Sequence, residues 1–172
     1  TLSSSSAASD VYKRQDFNDS SWQVGKLGAG YHVTSLYNVF IGENLNLASS
    51  LYKKASSLYV RSNFELPVGR EIKAAKLRVR YDDGFVAYLN GVEIASKNMP
   101  QEVKWDSVAN TDRVTSDKVS SSTGFVPAAM TTPTDIVLTA EQVANIVTGN
   151  NVLAIQVSNY AKNDRELLIQ PE

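Results

Sequence analysis

The 172-residue chain has no cysteine, and that absence removes a disulfide framework, thiolate zinc sites and cysteine nucleophiles at once. Histidine is nearly absent as well, since His32 stands alone. One imidazole with no serine or carboxylate pattern beside it does not read as a triad, so packing or surface use is expected. No apolar run approaches the ~20 residues of a membrane-spanning helix, and no leader segment is visible. The net charge is -1 with no strong basic run, which argues against an electrostatic grip on nucleic acid or anionic membrane. The sequence carries no G-x-S-x-G, H-E-x-x-H, phosphate-binding glycine loop or Cys–His arrangement. Carboxylates are plentiful, and composition leaves open a glycosidase pair about 5–9 Å apart. Nothing marks such a pair, and the chain is not expected to be an enzyme.

What is present is ordinary globular material: 42% hydrophobic and 20% charged residues, enough for one domain that buries roughly 70% of its unfolded surface. Residues 1–15 look foreign to it. Ser3 to Ser6 have linker composition, and the string Val11-Tyr12-Lys13-Arg14-Gln15 resembles a translated adapter scar at the end of a metagenomic reading frame. The alternative is a genuine flexible tail. The domain is expected to span residues 16–172, and if the string is such a scar a native first strand is expected to be absent.

From Asp16 onward the pattern is β-rich. Residues 58–66 read as a strand stopped by Pro67 and Gly69. Residues 75–81 (AKLRVRY) alternate, with Leu77, Val79 and Tyr81 on one face. Asp82-Asp83-Gly84 reads as a turn into residues 85–89, and Asn90-Gly91 as a hairpin turn into residues 92–95. Together these predict a three-strand antiparallel meander. Residues 98–134 form a long polar crossing between sheets, with a short strand expected near Gly124-Phe125-Val126. One helix is expected after Thr139, with Gln142 completing a capping box. The near-apolar run 151–157 predicts a central strand covered on both faces, and 167–169 the last strand. Short strands, close turns and a single short helix give an all-β class: an antiparallel β-sandwich.

The motif order resembles a known kind of domain. Residues 16–22 (DFNDSSW) resemble the F-x-D-S-S-W opening of jelly-roll domains attached to secreted bacterial hydrolases, and residues 25–31 (GKLGAGY) the G-x-x-L-G-x-G segment that follows it. Residues 59–64 (YVRSNF), 80–93 (RYDDGFVAYLNGVE) and 149–155 (GNNVLAI) are similar to later strands of the same domains. The resemblance runs over residues 16–170. It implies a galactose-binding-like jelly roll, found beside secreted, extracellular enzymes, some members of which bind sugars with calcium nearby. Fold alone supplies no function.

Two oxygen-rich loops are candidate calcium sites. Asp82 and Asp83 sit in a turn before a glycine, where hard oxygen ligands suit calcium. The D-D-G string also resembles that of PA14 lectin-like domains, some of which use it for calcium and glycan. The alternative is a turn whose aspartates cap backbone amides. Asp16 and Asp19, with Asn18 between, form the second loop, with Glu166 or Asp164 as a partner that the resemblance suggests. Its alternative is a turn in which Asp19 caps Ser21 or Trp22. Among aromatics, Trp105 in the polar loop is either a stacking platform for a sugar ring or an anchor for its loop. Tyr31, Tyr37 and Tyr160 are rim candidates against a packing alternative, whereas Trp22 is expected in the core.

The expected function is a non-catalytic accessory module that binds polysaccharide or another glycan for a larger secreted enzyme, with calcium as a candidate cofactor. The alternative is a structural spacer or docking domain whose only partners are neighbouring domains of the parent protein, with no glycan ligand. Neither reading involves nucleic acid or a membrane.

Overall fold

A computed structural model describes residues 11–26, 28–113 and 132–172. Among the described residues, eight strands make two antiparallel four-stranded sheets: β1 (Ala29–His32), β2 (Ser57–Leu66), β3 (Lys76–Asp82), β4 (Gly84–Leu89), β5 (Val92–Lys97), β6 (Thr134–Val137), β7 (Gly149–Ser158) and β8 (Glu166–Pro171). The first sheet has the order β1-β8-β3-β6 and the second β2-β7-β4-β5. Consecutive strands thus alternate between the sheets except at the β4–β5 hairpin, the connectivity of an eight-stranded jelly roll. The all-β sandwich read from the sequence is therefore the architecture.

The core lies between the sheets, where period-two patterning puts it. Leu77, Val79 and Tyr81 of β3 and Leu167 and Ile169 of β8 face Phe85, Ala87 and Leu89 of β4 and Ile155 and Val157 of β7. Strand β7 is central, paired with β2 on one side and β4 on the other. The Asn90-Gly91 turn joins β4 to β5, and both residues have positive φ, 51° and 89°, as a two-residue hairpin of this type demands. Thr139 caps helix α2 (Ala140–Val143) in a complete capping box with Gln142. A second short helix, α1 (Ala48–Leu51), has no sequence signal of comparable strength.

Three expectations are corrected. The meander does not exist as such: β3 belongs to the first sheet and β4 to the second, so Asp82-Asp83 is a crossing between sheets and not a hairpin turn. Of these three strands, β4 and β5 form a hairpin and β3 takes no part in it. The physical reason is burial on both sides of the crossing: Asp82, Asp83 and Gly84 are all buried, whereas a hairpin turn lies at the surface. Secondly, the strands begin before residue 58, because Ala29–His32 pairs with β8 at the sheet edge. Thirdly, the segment just before Asp16 packs on the domain. Val11–Lys13 forms a 3-10 turn, and buried Tyr12 meets Tyr59 edge-on at 4.7 Å on the outer face of the second sheet. The strand expected near Gly124-Phe125-Val126 lies outside the described residues.

Candidate metal centre at the sheet crossing

The site starts from strand register. His32 pairs with Glu166, and Asp82 with Leu168, so alternation puts His32, Glu166, Leu168 and Asp82 on one face of the first sheet, away from the core. The connection after β1 folds over this face. Its Tyr37 packs with Leu168, fully buried, and the Tyr37 hydroxyl donates to Asp82 Oδ2 at 2.8 Å. The other oxygen, Asp82 Oδ1, is buried with no hydrogen-bond donor among the described residues.

Asp83, next in the chain, is held from three sides. Arg113 N donates to Oδ1 and Tyr160 N to Oδ2, each at 2.8 Å. Asn98 Nδ2 donates to the Asp83 carbonyl at 3.1 Å, and the same side chain grips Thr111 through its amide at 3.1 Å and its hydroxyl at 2.9 Å. Asn98 thus pins the return of the polar loop against the crossing. Gly84 is required there, because a Cβ at that position would lie 2.8 Å from the Asn98 carbonyl.

This folding gathers carboxylates from three distant segments. One oxygen each of Asp83, Asp112 and Asp164 lies within 4.8 Å of the others. Asp164 is positioned by the connection between β7 and β8. Its carbonyl accepts from Tyr31 at 3.0 Å, Asn159 supports that hydroxyl at 2.9 Å, and Arg165 N donates to Asp164 Oδ1 at 2.7 Å. Beside the cluster, His32 Nε2 and Glu166 Oε2 are 3.4 Å apart, and the Thr34 amide donates to His32 Nδ1 at 3.1 Å. The imidazole proton is then on Nε2, facing the carboxylate.

Crowded acids in a dry place hold their protons. Burial first, then the neighbouring Asp82 charge, pushes Asp83 up to about 7. Burial lifts Asp82 to about 7. Burial with Asp83 lifts Asp164 to about 7, and burial with Asp164 lifts Glu166 to about 7. Burial and Arg165 lower His32, which therefore stays neutral more readily. A group of acids that repel one another at neutral pH is relieved by a cation. Three carboxylates suit a hard divalent ion such as calcium, which takes six to eight oxygens, the remainder from water or ligand.

The other candidates fall apart from this centre. Asp19 Oδ2 meets Arg61 Nε at 2.7 Å and Asp16 Oδ2 meets Arg14 at 2.7 Å, so each negative charge of that loop is matched by a guanidinium. The expected link to Glu166 or Asp164 is not made, since Glu166 faces His32 and Asp164 the sheet crossing. Asp82 and Asp83 are buried and do not lie in a surface turn: Asp83 is in the cluster, while Asp82 lies beside it under Tyr37. Tyr31 and Tyr37 are fully buried and present no rim to a sugar. Their hydroxyls hold Asp164 and Asp82 in place. Trp105 and Tyr160 are surface aromatics, 47% and 48% exposed. Tyr160 adjoins the centre through its own amide, and Trp105 is tied to the second sheet by Tyr59, which donates to its carbonyl at 2.6 Å. Trp22 is half-buried, edge-on to Phe17 at 5.6 Å. Asp112 was not singled out by sequence reasoning, because one aspartate in a long polar loop carries no periodicity or spacing signal.

Compared with family models, with curated proteins and with solved structures, the chain matches none of them.

Proposed function

We propose that the chain is a non-catalytic, galactose-binding-like accessory module of a secreted hydrolase, and that it binds a glycan beside a calcium ion held by Asp83, Asp112 and Asp164. The observation that carries this reading is the convergence of those three carboxylates within 4.8 Å. Two further features support it. Asp82 is wholly buried next to the cluster with one oxygen lacking a donor, an arrangement that a nearby cation relieves. Tyr160 offers an exposed ring whose backbone is bonded to Asp83, so a sugar could stack on it while its hydroxyls reach the ion.

The test is isothermal titration of the whole chain with calcium after EDTA treatment, followed by a glycan array with and without calcium. Calcium binding lost in Asp164→Asn, together with array signals that vanish in EDTA, is the expected result. A protein that keeps its fold yet takes up no calcium sinks the cation assignment. A blank array in both conditions favours a spacer that docks only on neighbouring domains.

A further inference from the structure

The G-x-x-L-G-x-G segment has a second structural consequence. Gly25 and Gly28 let it press against the chain between Tyr37 and Leu47: a Cβ on Gly25 would lie 2.4 Å from Leu45 Cγ, and one on Gly28 1.8 Å from the Phe40 carbonyl oxygen. Gly28 O accepts from Gly42 N at 2.6 Å, and the Gln23 amide donates to the Asn44 carbonyl. Between these two stretches lies an open cleft of about 350 Å³, lined by Gln23, Asn38, Ile41, Gly42, Asn44 and Asn46.

We infer that this cleft binds a neutral glycosyl unit; the inference rests on the glycan-binding reading and adds to it a second subsite that needs no metal. Four of the six lining residues carry carboxamides and none is charged. A carboxamide offers donors and an acceptor on one rigid plane, and a sugar hydroxyl needs both. The missing charge disfavours phosphates, carboxylates and amines relative to neutral sugars. Ile41 supplies an apolar wall for ring C–H groups, and the volume is at the lower end of small-ligand sites.

The amides are partly committed in a way that fixes the rest. Asn46 Oδ1 accepts from Ala48 N at 3.2 Å, and Asn46 Nδ2 reaches Asn38 Oδ1 at 3.4 Å. The Asn38 amide, Gln23 Oε1 and both ends of the Asn44 side chain have no partner among the described residues. The cleft therefore presents donors and acceptors in a frame held by the glycines and by Tyr37, which anchors the loop to Asp82.

The experiment follows side-chain amide signals in nitrogen-15 spectra of the whole chain, titrated in EDTA with four methyl glycosides: glucoside, galactoside, mannoside and xyloside. One of them is expected to shift the Asn38 and Asn44 amides in the millimolar range, and Asn38→Leu to weaken that binding roughly tenfold without lowering Tm. Silence of these amides with all four glycosides overturns the inference. So does an Asn38→Leu protein that binds like the parent. Silence in EDTA, with shifts at the Tyr160 backbone amide alone when the titration is repeated in calcium, would overturn the cleft and leave the calcium reading standing. Shifts at Asn38 in a chain that takes up no calcium would support the cleft and remove the calcium reading.

Discussion

Tyr37 and Asp82, separated by 45 residues, meet as a fully buried pair in which the phenol donates to Oδ2 at 2.8 Å. The bond fastens the loop after β1 to the end of β3, and so links the carboxamide cleft to the acidic centre. Tyr37→Phe keeps the ring packing against Leu168 but leaves the Asp82 carboxyl with no described donor. Denaturant unfolding is expected to show a loss of about 1–3 kcal/mol, the cost of an orphaned buried polar group. A loss below a few tenths would mean the bond contributes nothing.

Stability should fall with rising pH in EDTA, and calcium should offset the fall. Asp82, Asp83, Asp164 and Glu166 are each raised to about 7, so between their ordinary values and 7 the folded chain holds more protons than the unfolded one. Stability in EDTA is therefore greatest below those ordinary values and falls as pH rises through about 7. His32, lowered by burial, works the other way below its ordinary value, one group against four. Tm in EDTA is expected to drop between about pH 5 and about pH 8, and millimolar calcium to restore it at the upper end. At a calcium concentration a hundred times Kd the recovery is about 2.7 kcal/mol. Asp112→Asn should abolish the calcium effect, whereas Asp16→Asn should not.

Two glycines separate strain from collision. Gly69 has φ +80° and open space around its missing Cβ, so Gly69→Ala should cost only the left-handed backbone term, about 1–2 kcal/mol. Gly28 has φ +103° and the Phe40 carbonyl oxygen 1.8 Å from that Cβ position. Gly28→Ala should cost about 2–5 kcal/mol, combining strain with overpacking. Equal losses in urea unfolding would show that the contact with the 40–45 stretch is easily given up.

One guanidinium bonds the segment around Tyr12 at more than one point. Arg61, almost wholly buried, bonds the Tyr12 and Arg14 carbonyls and the Asp19 carboxylate. Arg61→Ala should free the segment while leaving the sandwich folded, read as faster trypsin cleavage after Lys13 or Arg14 at nearly unchanged Tm. Cleavage at the parent's rate would show that the aromatic contacts of Tyr12 with Tyr59 and Tyr88 suffice.

Local patterning decided much of this protein. The alternation of Leu77, Val79 and Tyr81 gave β3 its buried face, the apolar run 151–157 made β7 central, Asn90-Gly91 fixed a hairpin and Thr139 with Gln142 capped a helix. Each depends on neighbours within a few residues, so each is written in the order of the chain. The partition of strands between sheets was not legible, and Asp82-Asp83 reads the same as a surface turn or as a buried crossing. Which it is depends on what β3 and β4 pair with, namely β6 and β8 for one, β5 and β7 for the other. The acidic centre follows from that crossing, since Asp83, Asp112 and Asp164 come together only once the polar loop and the connection before β8 fold onto it. Residues far apart in sequence carry no shared period, and only tertiary packing brings them into contact.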